Sequence, residues 1–256
     1  MISLAPNDRL FVLTGAGISA ESGLPTFRDP DGLWQKYPPE KVATPEAWRR
    51  NPRMVWEFYS ERRRRAAAVK PNAAHYALAR LEEKLGERML ICTQNVDPLH
   101  ELAGSRHVVH MHGELMKSRC DRCSRPSFAD EQLYVEQVPR CSCGGQIRPH
   151  VCWFGEVPYE MDSTMEWLAE ADVFVTIGSS GTVEPAASFA LWAGRNRKPR
   201  KGERAGGSDS AVRARCFYIG AEEPQNSMLF DRVFIGKAGD LVPKLFVLEE
   251  AAQQLN

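Results

Sequence analysis

Three short apolar runs in this chain each stop at a cluster of glycine, amide or hydroxyl residues, and that recurrence constrains the fold more than any other feature. RLFVLT (9–14) runs into Gly15-Ala16-Gly17, RMLICT (88–93) into Gln94-Asn95-Val96-Asp97, and DVFVTI (172–177) into Gly178-Ser179-Ser180. Short apolar runs bounded by turn residues read as strands buried on both faces. Segments 107–111 and 215–219 read the same way. Between and beyond the strands lie segments with helical spacing: 45–70, 72–85 (from an Asn72 cap to a stop at Gly86), 186–193 and a closing 241–254. Strands alternating with helices predict an α/β fold, a parallel sheet with helices on both faces. Ligands of such sheets bind at the carboxyl ends of the strands, where these polar clusters fall.

The glycines of Gly15-Ala16-Gly17 suit close approach of backbone to a pyrophosphate, and the residues after them are expected to open a helix whose N-terminus favours an anion. Ala20 stands at the third small position of a dinucleotide fingerprint. A tight strand-to-helix turn explains the glycines equally well. The polar run 20–29 (AESGLPTFRD) reads as a long loop over the site. In it Phe27 suits shielding of a reactive centre or core packing, and Arg28 suits an anion contact or a surface charge.

Gln94, Asn95 and Asp97 carry acceptors suited to ribose hydroxyls and a carboxamide, or to an Asx turn. In HMHGE, His112 is the candidate general base, with Gly113 expected to leave room beside it; His110 is the weaker candidate. Small residues in Gly178-Ser179-Ser180-Gly181-Thr182 suit phosphate or ribose oxygens, or an ordinary loop.

Of seven cysteines, four fall as Cys120-x2-Cys123-x17-Cys141-x-Cys143. An odd total with tight clustering argues against a disulfide framework, and two close thiol pairs match a closed tetrahedral zinc site with a structural role. Gly144-Gly145 supply the tight turn. Cys92, Cys152 and Cys216 sit in apolar runs and are expected to be buried bystanders.

The chain has 256 residues, 43% hydrophobic, with a formal net charge of zero. That suits one large domain with an insert, and supplies no global basic field for nucleic acid. No stretch approaches the length of a membrane span, and no leader pattern opens the chain. The expectation is a soluble cytoplasmic protein, in preference to one of a mitochondrial matrix. Segment 194–215 carries eight Lys/Arg against two acids and reads as a solvated loop.

Taken together, GAGISAESGLPTFRD, TQNVD, HGE, the four-cysteine insert, RPHVCWFGE and the GSS segment resemble the sirtuin family in order and spacing. The resemblance implies a Rossmann-like NAD domain (1–114 and 151–256) with a zinc-binding insert (115–150), the latter joined by a helical segment at about 30–75 into a small lobe. Acyl-lysine proteins would enter the cleft between them as substrates, and a monomer is the expected state. The implied chemistry consumes NAD: the acyl oxygen attacks C1′ of the nicotinamide ribose, nicotinamide leaves, and water finally releases lysine and 2′-O-acyl-ADP-ribose. By the resemblance His112 is the base, Asn95 orients the ribose, and Asp97 with Ile18 holds the carboxamide. Thr26, Phe27, Arg28, Gln94, Gly178, Ser179, Ser180, Gly220 and Ala238, with Gly15, Ala16, Gly17 and Ala20, line the cofactor site. Val151, Trp153, Phe154 and Gly155 would pair with the substrate backbone as an added strand.

A finer resemblance, to the sirtuins that remove succinyl and malonyl groups, lies in Tyr59 and Arg62. Spaced three apart on an expected helix, they share a face, and a phenol beside a guanidinium suits a terminal carboxylate. Arg62 also begins a run of four arginines that reads as a solvated face. Gly220 stands where the family commonly places an Asn against the adenosine ribose, Pro98 follows QNVD where Asn or Gly is usual, and Cys152 replaces a usual Val. A plain deacetylase with Tyr59 and Arg62 idle, a mono-ADP-ribosyltransferase and a non-enzymatic NAD sensor are the competing readings. The presence of both Asn95 and His112 favours deacylation.

Overall fold

The computed structural model describes residues 1–26, 37–195 and 213–249. Phe27, Arg28, most of the basic segment and the end of the chain lie outside them. The strands are β1 (Ile2–Leu4), β2 (Leu10–Thr14), β3 (Met89–Thr93), β4 (Val108–His110), β5 (Gly113–Cys120), β6 (Phe128–Ala129), β7 (Ile147–Val151), β8 (Val173–Ile177), β9 (Arg215–Gly220), β10 (Arg232–Ile235) and β11 (Phe246–Leu248). Six of them form one parallel sheet in the order β10-β9-β8-β2-β3-β4.

Both faces of this sheet are covered. Leu10 and Val12 join the helices Ala73–Leu85 and Ala238–Leu245 in one apolar cluster. Phe11 and Leu13, pointing the other way as strand alternation requires, join Leu168 and Phe189 from the helices Met161–Glu170 and Phe189–Arg195. The central strands are therefore apolar at nearly every position, which is why they read as continuous runs.

Register decides where the motifs fall. Thr14 pairs with Thr93 on one side and Ile177 on the other, Thr93 pairs with His110, and Ile177 pairs with Ile219. Gly15, Gln94, Met111 and Gly178 thus leave the sheet, and Gly220 ends β9, at one level at the carboxyl ends of the strands.

The cysteine-bearing insert builds an antiparallel sheet, β6-β5-β7, which starts at Gly113 and ends at Val151. Its inner face packs on the helix Pro52–Ala68 through Trp56, Tyr59, Leu115, Ile147 and Trp153. Arg63 of that helix is 1% exposed and is held by the carbonyls of Leu115, Gln132 and Lys117, with Asp130 as counter-ion. A buried guanidinium needs such a full set of acceptors.

Four sequence expectations change. Segment 45–70 is two helices, Pro45–Arg50 and Pro52–Ala68, because Asn51 accepts from Met54 N as an N-cap and Pro52 starts the second helix. No α-helix follows Gly17; two 3-10 turns, Ala16–Ile18 and Ala20–Ser22, do. The closing helix starts earlier, at Ala238, and ends at Leu245, giving way to β11, which pairs in parallel with β1. The strand β10 was not foreseen. Among the described residues no helix is long and apolar enough to cross a membrane.

Candidate active site

Gly15 and Gly17 meet the Gly178 loop back to back. A Cβ on Gly15 would lie 2.8 Å from the Gly178 carbonyl oxygen, and one on Gly17 2.8 Å from Gly178 Cα. Gly178 has φ +64° and a Cβ there would lie 2.4 Å from Ile18 N. The backbones are tied by Gly15 N to Ile177 O (3.0 Å) and Gly17 N to Gly178 O (2.9 Å). Loop-to-loop contact therefore accounts for these glycines before any ligand is considered.

Next to them sits the loop after β3. Asn95 is 5% exposed, and its Nδ2 donates to Gly15 O and Ser19 Oγ, both at 3.2 Å, while its N–H donates to Thr93 Oγ1 at 3.0 Å. With the amide nitrogen engaged, Oδ1 is the atom left to accept from a ligand. Ser19 Oγ also donates to Asp97 Oδ2 at 3.2 Å, and Leu99 N–H donates to Asp97 Oδ1 at 3.2 Å. Burial raises the Asp97 pKa, opposed by these two hydrogen bonds. Ser19 thus joins Asn95 to Asp97. Sequence reading passed over it as one more small residue of GAGIS.

His112 enters from the start of β5. Its Nδ1 lies 3.0 Å from Gln94 O, a carbonyl that can only accept, so the proton sits on Nδ1 and Nε2 carries the lone pair. No hydrogen bond to Nε2 occurs among the described residues. Burial lowers the His112 pKa against the opposing Gln94 bond, which keeps the ring neutral near pH 7. Gln94 Nε2 in turn donates to Ser179 Oγ at 2.9 Å, joining the β3 and β8 loops. Gly113 does not serve to make room for His112. Its φ is +82°, and a Cβ would lie 2.2 Å from His150 O across the β5–β7 pair.

Ala16, Ser19, Asn95, Asp97 and Arg62 line one cavity. Tyr59 is buried beside it, and its hydroxyl accepts from Trp153 Nε1 at 3.1 Å. The Arg62 guanidinium lies 5.8 Å from the Tyr59 ring centre, so the two do share a face, and it reaches the cavity that holds Asn95.

The same arrangement of loops recurs in known proteins. The Sir2 family model matches residues 15–185. The chain belongs to the Sir2 family. It is 45% identical over 246 residues to an NAD-dependent protein deacylase of Pasteurella multocida, covering 92% of this chain and 95% of that one. It is 47% identical over 239 residues to a protein of the same name in Caulobacter vibrioides, covering 92% and 94%. A solved Sir2 homologue in complex with NAD superposes with a TM-score of 0.79 at 38% identity, covering 93% of this chain and 88% of that one. A Sir2 bound to a deacetylated p53 peptide and 3′-O-acetyl-ADP-ribose superposes at 0.77 with 28% identity, covering 92% of each.

In this Sir2 protein three amides of the segment after β7 are engaged within the chain. Cys152 N–H donates to His112 O, Trp153 N–H to the Glu156 carboxylate and Phe154 N–H to Ala43 O, at 2.8–3.0 Å. Val151 ends β7, Trp153 is 2% exposed, Phe154 is 50% exposed, and Gly155 turns with φ +88°. Of the amides of residues 152–155, only that of Gly155 has no hydrogen-bond acceptor among the described residues. Cys92 and Cys216 are fully buried, their thiols pushed up to about 12 by desolvation, as bystanders would be. Cys152 is only half-buried.

After β8, Ser180 Oγ lies 2.7 Å from Thr182 Oγ1, and Ala238 packs in the cluster that holds Ile18. Glu21 caps the Ala238 helix by accepting from Gly239 N at 2.7 Å. Gly220 has a local reason to be glycine, since a Cβ there would lie 2.3 Å from the Tyr218 hydroxyl. Ala20 is exposed, and Thr26 is the last described residue before Phe27 and Arg28.

The four sulfurs of Cys120, Cys123, Cys141 and Cys143 lie within 4.8 Å of one another, with Cys120–Cys143 at 3.5 Å and Cys123–Cys141 at 3.8 Å. Tetrahedral zinc with Zn–S bonds near 2.3 Å requires sulfurs about 3.8 Å apart, so the set fits a structural zinc. Amides of Arg122 and Cys123 donate to Cys120 Sγ, and that of Gly145 to Cys143 Sγ, an arrangement that favours thiolates. A Cβ on Gly145 would lie 2.8 Å from Cys120 Sγ.

Proposed function

We propose that this chain is an NAD-dependent protein-lysine deacylase acting on succinyl- and malonyl-lysine as well as acetyl-lysine. The observation that carries the reading is that the one loop after β3 holds a neutral His112, through Gln94 O, and carries Asn95, with His112 Nε2 and Asn95 Oδ1 both without a hydrogen-bond partner among the described residues. Family membership and the names of the relatives support it.

Bound NAD supplies the glycosidic bond to be broken and the ribose hydroxyls. The Gly15-Ala16-Gly17 turn and the Gly178–Ser180 loop form the floor for it. Asn95 Oδ1 accepts from a ribose hydroxyl and orients the sugar. Ser19 and Asp97, which line the same cavity as Asn95, would hold the carboxamide. His112 Nε2 takes a proton from a ribose hydroxyl, and the imidazolium that results is stabilised by its Nδ1–H···O=C bond to Gln94. The products are lysine, nicotinamide and 2′-O-acyl-ADP-ribose. The four cysteines would hold one structural zinc that fixes the small lobe against the Pro52–Ala68 helix.

Arg62, on the cavity that holds Asn95, with Tyr59 beside it, supports recognition of a terminal carboxylate on the acyl chain. A charge-assisted contact is worth about 1.5–3 kcal/mol, or roughly ten- to a hundredfold in kcat/KM. The test compares kcat/KM on succinyl-, malonyl- and acetyl-lysine forms of one peptide. Preference for the acidic acyl groups is expected, and a preference for acetyl rejects the carboxylate role.

A further inference from the structure

His110 lies one turn of the chain away from the base, on the edge strand β4, and its ring is 7% exposed. Its Nδ1 is 2.9 Å from Asn95 O and its Nε2 is 2.7 Å from Glu101 Oε1. A backbone carbonyl and a carboxylate both accept. A neutral imidazole has only one N–H, so it satisfies only one of them; a doubly protonated ring satisfies both. Asn95, by its other atoms, is fixed to Gly15, Ser19 and Thr93. Its carbonyl is the remaining handle, and His110 holds it.

We propose that His110 is a positioning residue, an imidazolium that bridges Glu101 to the Asn95 carbonyl and so sets the angle at which the Asn95 side chain meets the sugar. The proposal rests on the deacylase reading above.

The surroundings agree with a charged ring. Burial works against it, but the Glu101 carboxylate, the Asn95 carbonyl and Glu114 more than offset burial and raise the His110 pKa. Asp97, on the same loop as Asn95, is a further anion that faces it. Opposing cations are few. His100 sits on the Glu101 helix and stays neutral through desolvation, and Lys117 of β5 is paired with Glu114 at 2.6 Å. Glu101 itself is 42% exposed, so Glu101→Gln changes the charge with little risk to folding.

The sign follows directly. Below its raised pKa the ring is charged and Asn95 is held; as pH rises through that pKa the bridge opens and kcat falls. Removing the Glu101 carboxylate lowers the pKa and brings the fall to lower pH. KM for NAD should change less than kcat, because the bridge touches only the Asn95 contact with the sugar and none of the other groups that hold the dinucleotide.

The experiment uses the full chain, with 15N-labelled histidine, in wild type and Glu101→Gln. NMR reads the protonation of both His110 nitrogens, and kcat for nicotinamide release is followed from pH 6 to 10. Two ring protons at pH 7 in the wild type, with ring midpoint and alkaline limb both moving down in the variant, support the proposal. A singly protonated ring at pH 7, or an alkaline limb that stays in place when the ring midpoint moves, overturns the positioning role and leaves the deacylase reading standing. A wild-type chain that releases no nicotinamide removes the reaction the bridge serves, and both readings fall.

Discussion

The Nδ1 of His112 lies 3.0 Å from the backbone carbonyl of Gln94, and that contact fixes which nitrogen of the ring is basic. The carbonyl belongs to the loop that carries Asn95, so the His112 ring and the Asn95 amide are held by one turn of backbone. Because the Gln94 side chain reaches Ser179 at 2.9 Å, the same turn is also locked to the glycine-bearing loop after β8.

Replacing His112 with Ala should lower turnover by about 10²–10⁴-fold while leaving NAD binding within a few-fold. Steady-state kinetics with calorimetry of NAD binding checks this. In the wild type, burial depresses the His112 pKa, so the neutral base persists below the ordinary histidine value. The acid limb of the rate profile should therefore lie below pH 6.5, with activity lost as pH falls through it. An acid limb at or above that value contradicts the assignment.

Arg62→Met should reduce kcat/KM on succinyl-lysine peptide by roughly ten- to a hundredfold and change acetyl-lysine turnover far less. Equal losses on both peptides would mean that Arg62 serves the fold or the Asn95 loop and not the acyl carboxylate.

Gly145→Ala should destabilise the small lobe by about 1–3 kcal/mol, because the new methyl meets Cys120 Sγ at 2.8 Å. Elemental analysis should find one zinc per wild-type chain, and chelation should lower the melting temperature. A metal-free chain with unchanged melting temperature rejects the zinc site.

His75 and His100 pack with ring centres 5.0 Å apart, and His75 Nε2 and His100 Nδ1 are buried without hydrogen-bond partners among the described residues. Desolvation lowers the His75 pKa to about 4 and holds that of His100 well below 6.5. Unfolded, both rings bind protons near pH 6.5, so acidification from about pH 6.5 toward 4 favours the unfolded chain. Urea unfolding at pH 7.5 and 5 should show this loss, and His100→Gln should reduce it. A variant that loses as much stability as wild type on acidification would show that other groups set the dependence.

Much of this was legible because the strongest signals are local. The helix Ala73–Leu85 was expected to the residue, since Asn72 caps it and Gly86 stops it. The central strands were legible because both faces of the sheet are covered. Where distant partners decide, sequence reading fell short. The strand Phe246–Leu248 carries no local strand signal, because its pairing partner, Ile2–Leu4, lies at the opposite end of the chain. The break at Asn51-Pro52 is local, an Asn cap before a Pro, but the aromatic spacing runs straight through it. In the site, residue types announced His112 and Asn95. The bonds of Ser19 to both Asn95 and Asp97, and of His110 to Glu101, depend on how loops from three strands meet.

The central claim is that acyl-lysine and NAD react together in this cleft. Purified chain, incubated with a succinyl-lysine peptide and NAD, should release one nicotinamide for each lysine freed, with O-acyl-ADP-ribose in equal amount and nothing freed when NAD is left out. Lysine freed without NAD, or nicotinamide released with ADP-ribose attached to protein in place of O-acyl-ADP-ribose, would contradict it.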